Sequence, residues 1–209
     1  AYQVLVEGRP IADALRKTEL DSLSLLPTNT DLVGAEVELV TAIGRETRLR
    51  EALAVVADDY DVVLIDCPPS LGLLTLNALT AAHGVLIPLQ CEYYAMEGMS
   101  HLLRTIDLVS ARLNPGLSLH AIVLTMYDRR NRLTFQVERE VTNHFGDLVC
   151  RTRIPRNVRL SESPSFGKPA LLYDVAAVGT TAYLDLADDL IARRPAPLSA
   201  PPRTEQISA

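Results

Sequence analysis

Asp61-Val-Val-Leu-Ile-Asp66, followed by Cys67-Pro68-Pro69-Ser70, is the stretch from which the fold is read. Four consecutive apolar residues bounded by acids have the composition of a strand buried on both faces, as strands of parallel sheets are. Downstream, Leu73 to Ala82 has helical spacing, and Gly84-Val-Leu-Ile-Pro-Leu89 is a second buried strand. Upstream, Leu23 to Leu26 reads as a short strand ending at Pro27, and Asp31 stands where it would cap a helix running through Val40. Leu49, Leu53 and Val56 share one face of a helix predicted over 45–56.

The same alternation continues toward the C-terminus. Leu102, Leu103, Ile106, Val109 and Leu113 recur at intervals of three and four, which predicts a long amphipathic helix over 97–113, stopped by Asn114-Pro115-Gly116. A third strand is expected over 119–126, a helix over 133–145 ended by Gly146, a short strand over 148–154 and a last helix over 175–191. Strand and helix in alternation imply an α/β fold, a mostly parallel twisted sheet with helices on both faces. One domain is expected over 1–194. Pro195, Pro197, Pro201 and Pro202 lie among small polar residues and predict a disordered tail over 195–209.

Bulk properties narrow the function. At 209 residues, with 48% hydrophobic and 22% charged residues, the chain suits one soluble globule with a sizeable core. No apolar run approaches the ~18 residues that a membrane-spanning helix needs, and Ala1 to Gly8 has no signal-peptide character. Because the chain opens on Ala1 rather than Met, further sequence upstream is expected. Cys67, Cys91 and Cys150 are widely spaced and read as reduced thiols. His83, His101, His120 and His144 show no metal-ligand spacing, and Ser70 and Ser165 lie in no hydrolase turn. Net charge is −6, yet from Arg129 to Lys168 nine basic residues face four acids. A basic segment on an acidic body is either a solvated arginine-rich surface or a footprint for polyanions.

In open parallel sheets, ligands sit beyond the carboxyl ends of the strands. Asp66 ends the 61–66 run, where one carboxylate suffices to hold the water shell of Mg²⁺ beside a nucleotide; it equally suits capping of the next helix. A phosphate-binding loop needs Gly-x-x-x-x-Gly-Lys-Ser/Thr. Lys17-Thr18 lacks the glycines, and Gly167-Lys168 runs into Pro169, so the 209 residues hold no such loop.

The residues from Asp61 through Leu71-Gly-Leu-Leu-Thr-Leu-Asn-Ala-Leu-Thr80 resemble the Walker B block of ParA/Soj partition ATPases. Gly34-Ala-Glu-Val-Glu-Leu39, Pro88-Leu-Gln-Cys-Glu-Tyr-Tyr-Ala-Met-Glu-Gly98, Leu124-Thr-Met-Tyr-Asp128 and Ile154-Pro-Arg-Asn-Val-Arg159 are similar in the same order. So are Leu160-Ser-Glu-Ser-Pro-Ser-Phe-Gly-Lys-Pro169 and Tyr173-Asp174. The similarity runs from Ala1 to about Ile191. It implies a P-loop NTPase-like fold that lacks the N-terminal loop strand and helix, an N-terminal truncation. It also implies ATP and Mg²⁺ as ligands, with Asp66 as the Walker B carboxylate and Met126, Pro155, Arg156 and Asn157 around adenine and ribose. Arg130 and Arg159 match arginines that contact DNA.

Three roles are consistent with that resemblance. The first is a cytoplasmic, nucleoid-associated ATPase that dimerises on ATP, binds DNA without sequence preference and answers a ParB-type partner. The second is a remnant or paralogue that binds DNA or a partner without nucleotide. The third, a membrane-cycling MinD-like protein, would need a basic amphipathic C-terminal helix, and 195–209 holds four prolines and one arginine.

Overall fold

The computed structural model describes residues 1–68, 70–93 and 95–193, and the tail expected at 195–209 lies outside them. The chain divides into two compact units, residues 1–86 with 93–120 and residues 87–92 with 121 onward. A three-stranded sheet has the order β3 (Gly84–Gln90), β4 (Ser118–Tyr127), β5 (Val149–Pro155), with β4 and β5 parallel. With helices between the strands, this is the α/β fold expected.

The first unit opens with short helices α1 (Tyr2–Leu5) and α2 (Ile11–Ala14) and a two-residue antiparallel pair, β1 (Arg16–Lys17) with β2 (Ser24–Leu25). Helices α3 (Leu32–Glu38) and α4 (Arg48–Ala54) follow, then α5 (Leu73–Ala81) and α6 (Ala95–Arg112). The helical stripes do what their spacing predicts. Ile106 and Val109 of α6 are buried with Leu79 of α5 and Leu117. Leu53 of α4 packs against buried Val4, Ile11 and Val56, while Leu49 faces Leu5, Ala35 and Leu39. Asn77, fully enclosed in α5, ties this layer together. Its Nδ2 donates to the carbonyls of Arg45 (2.7 Å) and Leu73 (3.0 Å), and its Oδ1 accepts from Leu49 N (3.1 Å).

In the second unit, α7 (Arg132–Phe145) begins where the Asn131 side chain accepts from Leu133 N and ends at Gly146, whose φ of 53° terminates the helix. Short helices α8 (Val158–Glu162) and α9 (Ala170–Tyr173) precede α10 (Val178–Ala192). Ala121 to Leu124 of β4, between two strands, are essentially inaccessible. Asp189 locks α10 to the start of β5 by accepting from Arg151 N (2.8 Å), Thr152 N (3.5 Å) and Arg193 Nε (3.0 Å). Burial opposes the Asp189 charge, but Arg193 and the two amides outweigh it and hold its carboxyl below the usual range.

Four expectations are corrected. The 61–66 run enters no ladder among the described residues; Val62, Val63 and Leu64 are 55%, 48% and 86% exposed. Apolar composition qualifies a segment for a buried strand, but a strand forms only where a neighbour satisfies its backbone. Asp31 stands at the start of α3 without capping it, its carboxylate accepting instead from Asn29 Nδ2 at 2.7 Å. The last helix begins at Val178 rather than 175, because Thr180 Oγ1 donates to Asp174 O (2.8 Å) and holds the intervening turn. β3 alternates buried Ile87 and Leu89 with exposed Pro88 and Gln90, as befits an edge strand in which proline lacks an N–H to donate.

Two outcomes follow. Asn77→Ala strands the Leu49 amide and the Arg45 carbonyl, and is expected to cost about 1–3 kcal/mol in urea unfolding. The Asp189 contribution, whose folded pKa is depressed, is present above the ordinary carboxylate pKa of ~3.9 and is lost as pH falls through the folded value. Stability should therefore decline less steeply below about pH 4 in Asp189→Asn than in the unmodified chain.

Candidate functional site

The second unit assembles one group of expected site residues. The β4–β5 register pairs Tyr127 with Pro155, and Arg156 N donates to Tyr127 O across the strand ends (3.3 Å). Asn157 follows as the N-cap of α8, its Oδ1 accepting from Arg159 N at 3.0 Å. Met126 has a φ of 50°, the only positive value at a non-glycine residue among those described. That conformation costs about 1–3 kcal/mol and persists only where the surroundings enforce it. Met126, Pro155, Arg156 and Asn157 thus come together at the carboxyl ends of two parallel strands.

Beneath the strand ends runs a chain of contacts. Tyr127 Oη donates to Glu138 of α7, whose Oε1 accepts from Arg153 Nε of β5 at 2.8 Å. Burial first, and then the Glu138 contact, push the Tyr127 hydroxyl up to about 12, so it stays a donor at any physiological pH. The Cys91 thiol is likewise raised by burial. Tyr127, Arg129, Arg153 and Pro155 line an open cleft of about 530 Å³ with Val178, Thr181 and Asp185 of α10. Glu138 and Arg153 had no signal in the sequence beyond being two of several charged residues in α7 and β5.

Asp66 belongs to the first unit. It is exposed at the end of the 61–66 run, next to exposed Cys67. The chain re-enters helix through Ser70, whose carbonyl accepts from Thr75 Oγ1 at 2.6 Å. Among the described residues no group of three or more His, Cys, Asp or Glu could hold a metal.

The two arginines differ. Arg130 follows β4, its N–H donating to Asp128 Oδ1 (2.9 Å), and its guanidinium makes no ion pair among the described residues. Arg159, 54% exposed, pairs with Glu162 Oε2 (3.0 Å) and Asp174 Oδ2 (3.3 Å). The Glu162 hydrogen bond, followed by the Tyr173 contact, raises the Arg159 pKa further. Tyr173 also donates to Glu162 (3.2 Å) and stacks on Phe166. Arg159 is therefore engaged in local structure, whereas Arg130 is available to a ligand.

At the strand ends Met126 is 40% exposed and Asn157 caps α8; the 209 residues contain no glycine loop followed by lysine. No described helix is long and apolar enough to cross a membrane.

Residues 1–119 match the AAA domain family. The chain is 55% identical over 192 residues to the chromosome partitioning protein ParA of Myxococcus xanthus, covering 92% of this chain and 68% of that one. It is 51% identical to the sporulation initiation inhibitor protein Soj of Bacillus subtilis, covering 91% and 76%. Among solved structures, cobyrinic acid a,c-diamide synthase from Mycobacterium smegmatis with bound ADP and magnesium superposes with a TM-score of 0.75 at 40% identity, covering 91% and 70%. The Pyrococcus furiosus cell division ATPase MinD shares the fold, with a TM-score of 0.73 at 22% identity. The chain belongs to the ParA/Soj family of chromosome-partitioning ATPases.

Proposed function

We propose that the protein serves DNA partitioning as a ParA-type ATPase. It would bind ATP with Mg²⁺, dimerise on the nucleotide, bind DNA without sequence preference and respond to a ParB-type partner. The identity above 50% to ParA and Soj across nine-tenths of the chain carries this reading. Nucleotide and magnesium in a 40% identical relative support the ligand assignment. Within it, Met126, Pro155, Arg156 and Asn157 contact adenine and ribose, Asp66 orders the magnesium water shell, and Arg130 and Arg159 meet DNA phosphates. Phosphate contacts carry no base readout, so such binding is sequence-independent and salt-sensitive.

A second reading rests on one sequence fact. Phosphoryl transfer is catalysed mainly by electrostatic stabilisation around the phosphates, and these 209 residues hold no loop to supply it. Taken alone, the chain acts as a DNA- or partner-binding module without turnover. The two readings are reconciled if hydrolysis belongs to a polypeptide that joins a phosphate-binding loop to these residues.

The purified 209-residue chain is expected to release no phosphate from ATP above background. Fused behind a strand, a Gly-Gly-x-Gly-Lys-Thr loop and a helix, it should gain turnover that Asp66→Asn lowers by about 100-fold or more. Turnover by the chain alone that Asp66→Ala abolishes would refute the argument from the missing loop, and full turnover in the fused Asp66→Asn protein would refute the role of Asp66.

On duplex DNA, Arg130→Ala should reduce the slope of log affinity against log salt by about 0.9 and leave the melting temperature unchanged. Arg159→Ala should reduce the slope equally if its guanidinium leaves Glu162 and Asp174 for a phosphate. A lowered melting temperature with an unchanged slope would instead make Arg159 a clamp between α8 and Asp174. An unchanged slope in Arg130→Ala removes the DNA role of that residue.

A further inference from the structure

Gly179 occupies the first turn of α10 and is buried there. Its backbone is helical, a conformation that any residue adopts, and alanine is the better helix former. The absence of a side chain therefore has a spatial cause. A Cβ at position 179 would stand 2.6 Å from Leu160 Cδ1, 2.7 Å from Leu160 Cγ and 3.0 Å from Asn157 Cβ. The Leu160 methyl can swing aside, but Asn157 Cβ is bonded to the backbone and moves only with it. Asn157 and Leu160 are half-buried, whereas Val158 and Arg159 between them are exposed. One edge of α8 thus rests directly on Gly179.

The base of this contact is fixed. Thr180, 2% exposed, donates from Oγ1 to Asp174 O at 2.8 Å, and Asp189 ties the far end of α10 to β5. The helix that rests on it is short, five residues, with Asn157 as its N-cap. Asn157 Oδ1 accepts from Arg159 N at 3.0 Å, and the Arg159 guanidinium reaches Asp174 Oδ2 at 3.3 Å. Val178 and Thr181, on either side of Gly179, line the cleft that Pro155 also borders.

We propose that Gly179 is a positioning residue: by leaving room for Asn157 and Leu160 it seats α8 on α10, and so sets where Asn157 stands beside the carboxyl ends of β4 and β5. The consequence for adenine and ribose rests on the reading of Asn157 given above, but the seat itself does not. Gly179 acts through Asn157, with which it is in direct contact. A side chain at 179 pushes two neighbouring points of α8 at once and so displaces the helix as a body, Arg159 included.

Two measurements on the full chain, neither involving nucleotide, test it. The first is a pair of thermal double-mutant cycles. Gly179→Ala alone should lower the melting temperature by several degrees, although alanine favours an unobstructed helix. Combined with Leu160→Ala, or with Asn157→Gly, it should lower it by clearly less than the sum of the single changes. Glycine in place of asparagine keeps most of an N-cap's stability, so the second cycle isolates the Cβ contact. Additive shifts in either cycle overturn the seat. The second measurement compares hydrogen exchange at two amides that donate to the same kind of cap. They are Arg159 N on Asn157 Oδ1 and Leu133 N on Asn131 Oδ1, each at 3.0 Å. In Gly179→Ala the Arg159 amide should exchange about threefold faster or more, with the Leu133 amide unchanged. A general loss of stability would speed both alike. That result, or an unchanged Arg159 amide, overturns the positioning role. Because ATP is absent from both experiments, failure of Asn157 as a base-and-sugar residue would leave their outcome untouched.

Discussion

Backbone N–H and C=O groups of an extended chain must be paired, and in a sheet only a neighbouring strand pairs them. β4 meets that requirement on both edges, and Ala121 to Leu124 are correspondingly inaccessible. The 61–66 run has the more uniformly apolar sequence of the two and lacks a ladder among the described residues. Its valines and Leu64 face solvent as a result. Where the ladder exists, the second unit sets Tyr127 against Pro155 in register. Where it does not, Asp66 is exposed at the end of the run.

The strand-end site shows how a ladder becomes a site. Register sets Tyr127 against Pro155, and that pairing fixes the depth at which Met126, Arg156 and Asn157 emerge. The Tyr127–Glu138–Arg153 chain of contacts links β4, α7 and β5 beneath them. Met126, next to Tyr127, has a positive φ of 50°. The family shown by the comparisons is one of ATPases, and the proposal above sets this strand-end group at the base and sugar of a nucleotide.

Much of this was legible in the sequence, for physical reasons that can be named. The stripes of α6 and the buried run of β4 are periodic signals produced by burial itself, and both elements lie within two residues of where the pattern puts them. Gly146 and Asn131 mark the ends of α7 because each answers a local backbone need. The Asp66 strand was misread because composition reports suitability for a sheet, whereas the sheet depends on a partner elsewhere. Asp31 fits the helix-start pattern, yet Asn29 takes its carboxylate. Gly179 under α8, Asp189 on β5 and the Glu138–Arg153 pair join residues from 15 to 38 positions apart, and no local pattern announces them. The family resemblance supplied Met126, Pro155, Arg156 and Asn157, but neither the positive φ nor the buried tyrosine network came with it.

The run ending in Asp66 carries a strand's sequence but enters no ladder among the described residues. Hydrogen–deuterium exchange resolved to single amides, under native conditions, addresses it directly. The amides of Val62 to Ile65 should exchange orders of magnitude faster than those of Ile122 to Leu124 in β4, which are both buried and paired. Equal, deep protection in the two segments would mean that the 61–66 run is laddered in solution, and would contradict this account of the first unit.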